Sequence, residues 1–455
     1  MKFFLPISLF VLIFSCSSGN SSKPQQDSLP QQQVALPELK KGDLTDLFVV
    51  SDPGNSYTVY VPSNYNPLKK YPLIVFFDAH ANGHLPLNNY KSIAEKWGYI
   101  FVASNTSKNG MEMDQTVKIG NELIDEAKAI LPVDENQILL CGFSGGSRVA
   151  AYMTAGRQDV KGVICNSAAP QGILTGKVFV GLAGLGDMNY LEMKNFADRQ
   201  PTNTSPHELL VFDGKHEWAP TNMMEDAMLI ATIYHPNTKN TATDSAMAKE
   251  LCILITYQSD SIMNTSCSIA DALRQTGKRC SEPLGGWKSD HTRAITDACI
   301  KSDEAAWAKA EQDETKMQQE LGSAIMQQDT IWWKTNADSY FETKNSGAEK
   351  FMRERLRGYT SLMCYSYVNQ AMQANNLHAA EKLITVYSIV DPTNSEWAYM
   401  RAVLYMKINL PDYAIASLDK AVELGFNDRT RLLNDANFTS LQTDARFSEM
   451  MGKMK

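Results

Sequence analysis

Between residues 47 and 235 the chain alternates short apolar runs with longer stretches of helical periodicity, and no other feature limits its fold so tightly. The runs fall at 57–61, 73–77, 99–103, 137–141, 160–165, 178–182 and 208–212. Helical patterns occupy 88–97, 111–131, 145–155, 188–199 and 222–234. A continuous apolar run suits a strand buried on both faces, and strands separated by helices pair in parallel. The expected class is therefore α/β: a mostly parallel sheet covered by helices on both faces. Ligands of such sheets bind beyond the carboxyl ends of the strands, so the residues right after each run matter most.

After the run at 137–141 comes Gly142-Phe143-Ser144-Gly145-Gly146-Ser147, and then a helix. Gly-x-Ser-x-Gly at a strand-to-helix junction is a nucleophile elbow. The turn is so tight that the residues two before and two after the serine must be nearly free of side chain, as Gly142 and Gly146 are. The Gly145 N–H, at the helix start, can then face an oxyanion.

A serine nucleophile needs a base, and the base needs an acid to orient it. The run at 178–182 leads into Asp187, and the run at 208–212 leads into His216. Ser144, Asp187 and His216 thus follow successive strand ends in the order Ser, Asp, His. His207 precedes its strand and belongs to the opposite sheet edge. His235 ends a helix, and His291 and His378 fall in a later helical region. His80 and His84 follow the run at 73–77, too early for the base. Among acids, Asp198 is mid-helix and Asp213 stands too close to His216.

The carriers GFSGGS, GLGDMNYLEM and DGKHEWAP make residues 47–235 resemble the α/β-hydrolase superfamily, especially its compact esterases of the dienelactone hydrolase and polyester-depolymerase-like kind. The resemblance implies Ser144 as nucleophile, His216 as base and Asp187 as orienting acid, with the Gly145 amide as one oxyanion donor. It implies a second donor in the loop after Phe77, where Ala79 is expected first and His80 next. That loop, Asp78-Ala79-His80-Ala81-Asn82-Gly83, departs from the His-Gly patterns common in esterases. No cofactor is implied. Gly172-x-x-x-Gly176-Lys177-Val178 is superficially similar to a phosphate loop, but it is one residue short and leads into a strand, so it is a turn.

Lys2 precedes an apolar stretch from Phe3 to Phe14, the length of a signal-peptide core. Ile13-Phe14-Ser15-Cys16 resembles a bacterial lipoprotein box, which implies lipidation at Cys16. Ordinary signal-peptide cleavage is the rival reading, and either places the mature chain outside the cytoplasm. Serine, glutamine and proline dominate from Ser17 to about Leu36, a composition suited to a flexible tether. The expected location is the bacterial cell envelope, as a periplasmic or outer-membrane lipoprotein held by its N-terminal lipid.

Lysine and arginine number 43 against 51 aspartates and glutamates, a net charge of −8 without any basic block, so no nucleic-acid partner is expected. Among cysteines other than Cys16, Cys141 and Cys165 sit in apolar runs, where a thiol behaves as a small hydrophobe. Cys252, Cys267, Cys280 and Cys299 could form disulfides in an oxidising compartment, with connectivity open. No metal-ligand spacing occurs.

Beyond residue 240 helix formers dominate. Leu377, Ala380, Ile384, Tyr387, Val390 and Asp391 recur 34 positions later as Pro411, Ala414, Leu418, Ala421, Leu424 and Gly425. The period resembles tetratricopeptide repeats, with units 361–394 and 395–428 and a capping helix around 438–451. Helical patterns at 305–341 and 348–367 extend the region. The expected organisation is a leader at 1–16, a tether at 17–40, a hydrolase domain at 41–236, a mixed helical region of unclear role at 237–345, and helical repeats at 346–455. The leading function is an exported, lipid-anchored serine hydrolase that cleaves a carboxylic ester, in a small molecule or an acylated polymer, through an acyl-enzyme. The repeats could hold a protein or peptide partner. The alternatives are a non-catalytic binding or assembly lipoprotein and a serine peptidase on the same triad.

Overall fold

A computed structural model describes residues 38–200, 206–234, 242–282, 293–342 and 347–454. The leader, Cys16, most of the tether, His235 and His291 lie outside the described residues. Strands β1 (Leu44–Val49), β2 (Asp52–Tyr60), β3 (Tyr71–Phe77), β4 (Ile100–Ser104), β5 (Val133–Phe143), β6 (Val160–Asn166), β7 (Val178–Gly184) and β8 (His207–Phe212) form one sheet in the order β1-β2-β4-β3-β5-β6-β7-β8. The β1–β2 and β2–β4 pairs are antiparallel and every other pair is parallel. Helices α1 (His84–Trp97), α2 (Met113–Ile130), α3 (Gly145–Gly156), α4 (Tyr190–Arg199) and α5 (Thr221–Ile233) connect and cover the strands. This is the α/β-hydrolase fold.

The seven apolar runs all become strands because each can lose both faces to a helical layer. Every residue of β4 and β7 is buried. The first strand has no such run. Its burial alternates, Phe48 points to solvent at 62% exposure, and it lies antiparallel at the sheet edge. An edge strand needs only one apolar face, so its pattern is weaker.

The rest is helical: α6 (Ala242–Ile262), α7 (Cys267–Ser281), α8 (Asp297–Gln327), α9 (Thr330–Phe341), α10 (Ala348–Gln373), α11 (Leu377–Val390), α12 (Glu396–Lys407), α13 (Pro411–Glu423), α14 (Arg429–Asn434) and α15 (Ala445–Lys453), with a 3-10 turn at Ala436–Leu441. Two readings change here. The pattern at 305–341 is two helices, because the Asp329 side chain accepts the Trp332 N–H at 2.8 Å and starts a new one. The expected cap at 438–451 is the 3-10 turn followed by α15, which Asp444 caps. Cys267 and Cys299 form a disulfide between the starts of α7 and α8, while Cys141, Cys165, Cys252 and Cys280 are buried. Glu38–Lys455 forms one unit with a continuous apolar core. Among the described residues no helix is long and apolar enough to cross a membrane.

Candidate active site

Ser144 lies between β5 and α3 with φ 53° and ψ −120°, a strained conformation for a residue with a Cβ. The turn survives because its neighbours are glycines. A Cβ on Gly142 would collide with the Gly146 carbonyl, and one on Gly146 with the Phe77 carbonyl at the end of β3. A Cβ on Gly145 would strike the Asn109 carboxamide. Below the turn, the Ser147 hydroxyl donates to the carbonyls of Gly142, at 2.5 Å, and Asn166, at 2.8 Å. The Ser144 N–H also donates to the Asn166 carbonyl, at 2.9 Å. The strain is thus held by the strands on both sides.

Ser144 Oγ lies 2.9 Å from His216 Nε2, and His216 Nδ1 lies 2.9 Å from Asp187 Oδ1. Asp187 is fully buried and its Oδ1 also accepts the Asn189 N–H at 2.8 Å. A carboxylate only accepts, so Nδ1 carries the proton and Nε2 is free to take one from the serine. Asp187 Oδ2 is buried with no partner among the described residues. The loops after β7 and β8 are zipped together: the Leu185 N–H donates to the Phe212 carbonyl at 2.8 Å, and the Gly186 N–H to the Gly214 carbonyl at 2.9 Å.

The other candidates go elsewhere. His84 pairs with Asp46 at 2.8 Å, and the His80 side chain is 77% exposed. His207 opens β8 at the far edge, and His378 lies in α11. Asp198 faces Lys194 and Asp213 faces Lys350.

Ala79 is buried, and its carbonyl accepts the Asn109 N–H at 2.9 Å. The N–H groups of Ala79 and Gly145 have no backbone acceptor among the described residues, which leaves both free for a developing negative charge. The His80 N–H is committed to Asp78 Oδ1 at 2.8 Å, as is the Asn82 N–H at 3.3 Å. Of the two N–H groups, that of His80 is thus already bonded. A cavity of about 150 Å³ opens beside Gly145 and Gly146, lined by Asp78, Asn109, Met111 and Arg148 among others.

Several residues of the site carry no sequence signal. Asn166 donates to the Glu217 carbonyl at 3.0 Å and accepts the Ala219 N–H at 2.7 Å, so it clamps the loop that carries His216. Phe143 packs on the His216 ring with centroids 5.0 Å apart and stacks on Trp218 at 5.4 Å. Only the wish for a donor or an aromatic near the site could have suggested them. Among the described residues no group of three or more His, Cys, Asp or Glu side chains could hold a metal ion.

No protein-family model and no curated protein matches the chain. Solved structures similar to part of it include an esterase from the hyperthermophilic archaeon Pyrobaculum calidifontis, 13% identical with a TM-score of 0.36, which spans 42% of this chain and 85% of that one. Esterase LipW from Mycobacterium marinum is 14% identical over 40% of this chain and 78% of its own, with a TM-score of 0.33. FphF, a fluorophosphonate-binding serine hydrolase of Staphylococcus aureus, is 11% identical over 42% of this chain and 98% of its own, with a TM-score of 0.35.

Proposed function

We propose that this chain is a serine hydrolase that cleaves a carboxylic ester, and that it is exported and lipid-anchored at Cys16. The observation that carries the reading is the continuous hydrogen-bonded line from Ser144 Oγ through both His216 nitrogens to buried Asp187. His216 Nε2 takes the Ser144 proton as Oγ bonds to the ester carbonyl carbon. The carbonyl oxygen, now negative, faces the N–H groups of Gly145 and Ala79. The imidazolium, stabilised by Asp187, gives its proton to the departing alkoxide, and the alcohol leaves an acyl-Ser144. Water then gives a proton to the same nitrogen and attacks the acyl carbon. Ser144 departs with its proton restored.

The Cys267–Cys299 disulfide supports an oxidising compartment, in keeping with export. A second reading, in which α10–α13 are two tetratricopeptide-like repeats that hold a protein or peptide, draws support from a cavity of about 410 Å³ lined by Lys334, Ile384, Arg401 and Tyr405. The two readings are compatible in one chain. Labelling with a fluorophosphonate probe, wild type against Ser144→Ala, tests the first. Absence of Ser144-dependent labelling in folded protein would leave the partner-binding reading alone. Turnover of matched ester and amide substrates separates an esterase from a peptidase.

A further inference from the structure

Arg355 of α10 and Glu314 of α8 are both completely buried. Arg355 Nε and Nη2 donate to Glu314 Oε2 at 2.8 and 2.6 Å. The remaining arm, Nη1, leaves the helical region altogether and donates to the Leu185 carbonyl at 2.7 Å. Leu185 stands two residues before Asp187. The guanidinium also lies over the rings of Tyr190, at 4.9 Å, and Trp307, at 5.8 Å. Tyr190 itself closes the acid loop, its N–H donating to the Asp187 carbonyl at 2.8 Å.

The neighbours of Arg355 on α10 press on the same loop. A side chain at Gly186 would collide with the Glu354 carboxylate, and Gly358 faces Met188 across an ordinary contact distance. Residues 354, 355 and 358 share one helical face. A buried ion pair brings little net stability, because desolvation offsets most of its attraction. Fixed geometry is what a three-armed guanidinium can add.

That geometry matters because of how Asp187 is held. Its Oδ1 accepts from Asn189 and His216, and its buried Oδ2 accepts from nothing described. The carboxylate's aim therefore depends on the backbone that carries it.

We propose that Arg355, locked by Glu314, is a positioning residue of the hydrolase, fixing Leu185 and so holding Asp187 against His216. The proposal rests on the serine-hydrolase reading above and makes the helical region part of the site's framework.

Arg355→Met alone would strand Glu314 as a buried charge, so the test joins it to Glu314→Leu in the full chain. Arg355→Lys, with one nitrogen for two acceptors, is a second variant that keeps the charge balance. For folded variants, kcat on p-nitrophenyl acetate should fall by about 10²-fold for the paired change, with KM nearly unchanged. Adding Asp187→Asn to the paired change should cost little beyond Asp187→Asn alone, because both act through one contact. The downfield proton NMR signal of His216 Nδ1–H should move or broaden in either variant. Wild-type kcat with an unmoved signal would overturn the proposal, as would losses that multiply in full with Asp187→Asn. If the wild type shows no Ser144-dependent turnover, the hydrolase reading fails, and the NMR signal alone still decides whether Arg355 holds the Asp187–His216 contact.

Discussion

The indole N–H of Trp218 donates to Asp78 Oδ2 at 3.0 Å, tying the loop that carries His216 to the loop that carries Ala79. Asp78 is buried and its other oxygen accepts the His80 and Asn82 N–H groups. Trp218 also stacks on Phe143, the residue before Ser144. One aspartate and one tryptophan thus hold the loops that carry His216, Ser144 and Ala79 in register.

Trp218→Phe keeps the stacking and removes the donor. It should lower stability by about 1–3 kcal/mol, the cost of a buried acceptor left unsatisfied, as read by chemical denaturation. Ester turnover should fall as well, because the Ala79 loop loses its anchor. A variant with wild-type stability and wild-type turnover would show that the bond does nothing.

What was legible in the sequence follows from distance along the chain. Ser144, Asp187 and His216 each come just after a buried apolar run, and the elbow's glycines stand within two residues of the serine. Local pattern is enough to find them. Trp218 lies 140 positions from Asp78, and Arg355 lies 170 from Leu185. Nothing local marks either partner, since the pairing exists only once the sheet has brought its loops together. The break at Asp329 was lost for a different reason: helical periodicity runs on through it, and only the capping side chain shows the stop.

The proposed repeat packing gives a stability test. Ala380 and Ala414 are both fully buried, in α11 and α13. Ala414→Leu would force extra methylenes into a closed helix crossing and should cost about 1–3 kcal/mol. An unchanged melting temperature would mean that the 34-residue register does not describe the packing.

Asp226, in α5, is fully buried, and neither carboxylate oxygen has a hydrogen bond among the described residues. Burial pushes its carboxyl well above the ordinary 3.8, and the charges of Glu225 and Glu250 add to the rise. The folded state therefore retains a proton that the unfolded chain releases. The stability this group contributes is full below pH 3.8 and is lost as pH rises through the folded value. Asp226→Asn cannot ionise. Its melting temperature should exceed that of the wild type by a margin that widens from pH 5 to pH 8, and a constant margin would reject the assignment.

The proposed triad makes the sharpest prediction. A serine hydroxyl is a poor nucleophile until an imidazole takes its proton, and here Nε2 stands 2.9 Å from Oγ with its tautomer set by Asp187. Ser144→Ala and His216→Ala should each remove most turnover of small activated esters, by about 10⁴-fold or more. The double variant should be little worse than either single one, because the two residues act as a unit. Asp187→Asn leaves the shape but offers an amide N–H where a carboxylate stood, so Nδ1 must become the acceptor and Nε2 carries the proton. It should therefore cost at most what the other two cost, and never nothing. Wild-type kcat/KM in a folded His216→Ala variant would reject the assignment, and exposed His80, on the loop beside the elbow, would become the base to test.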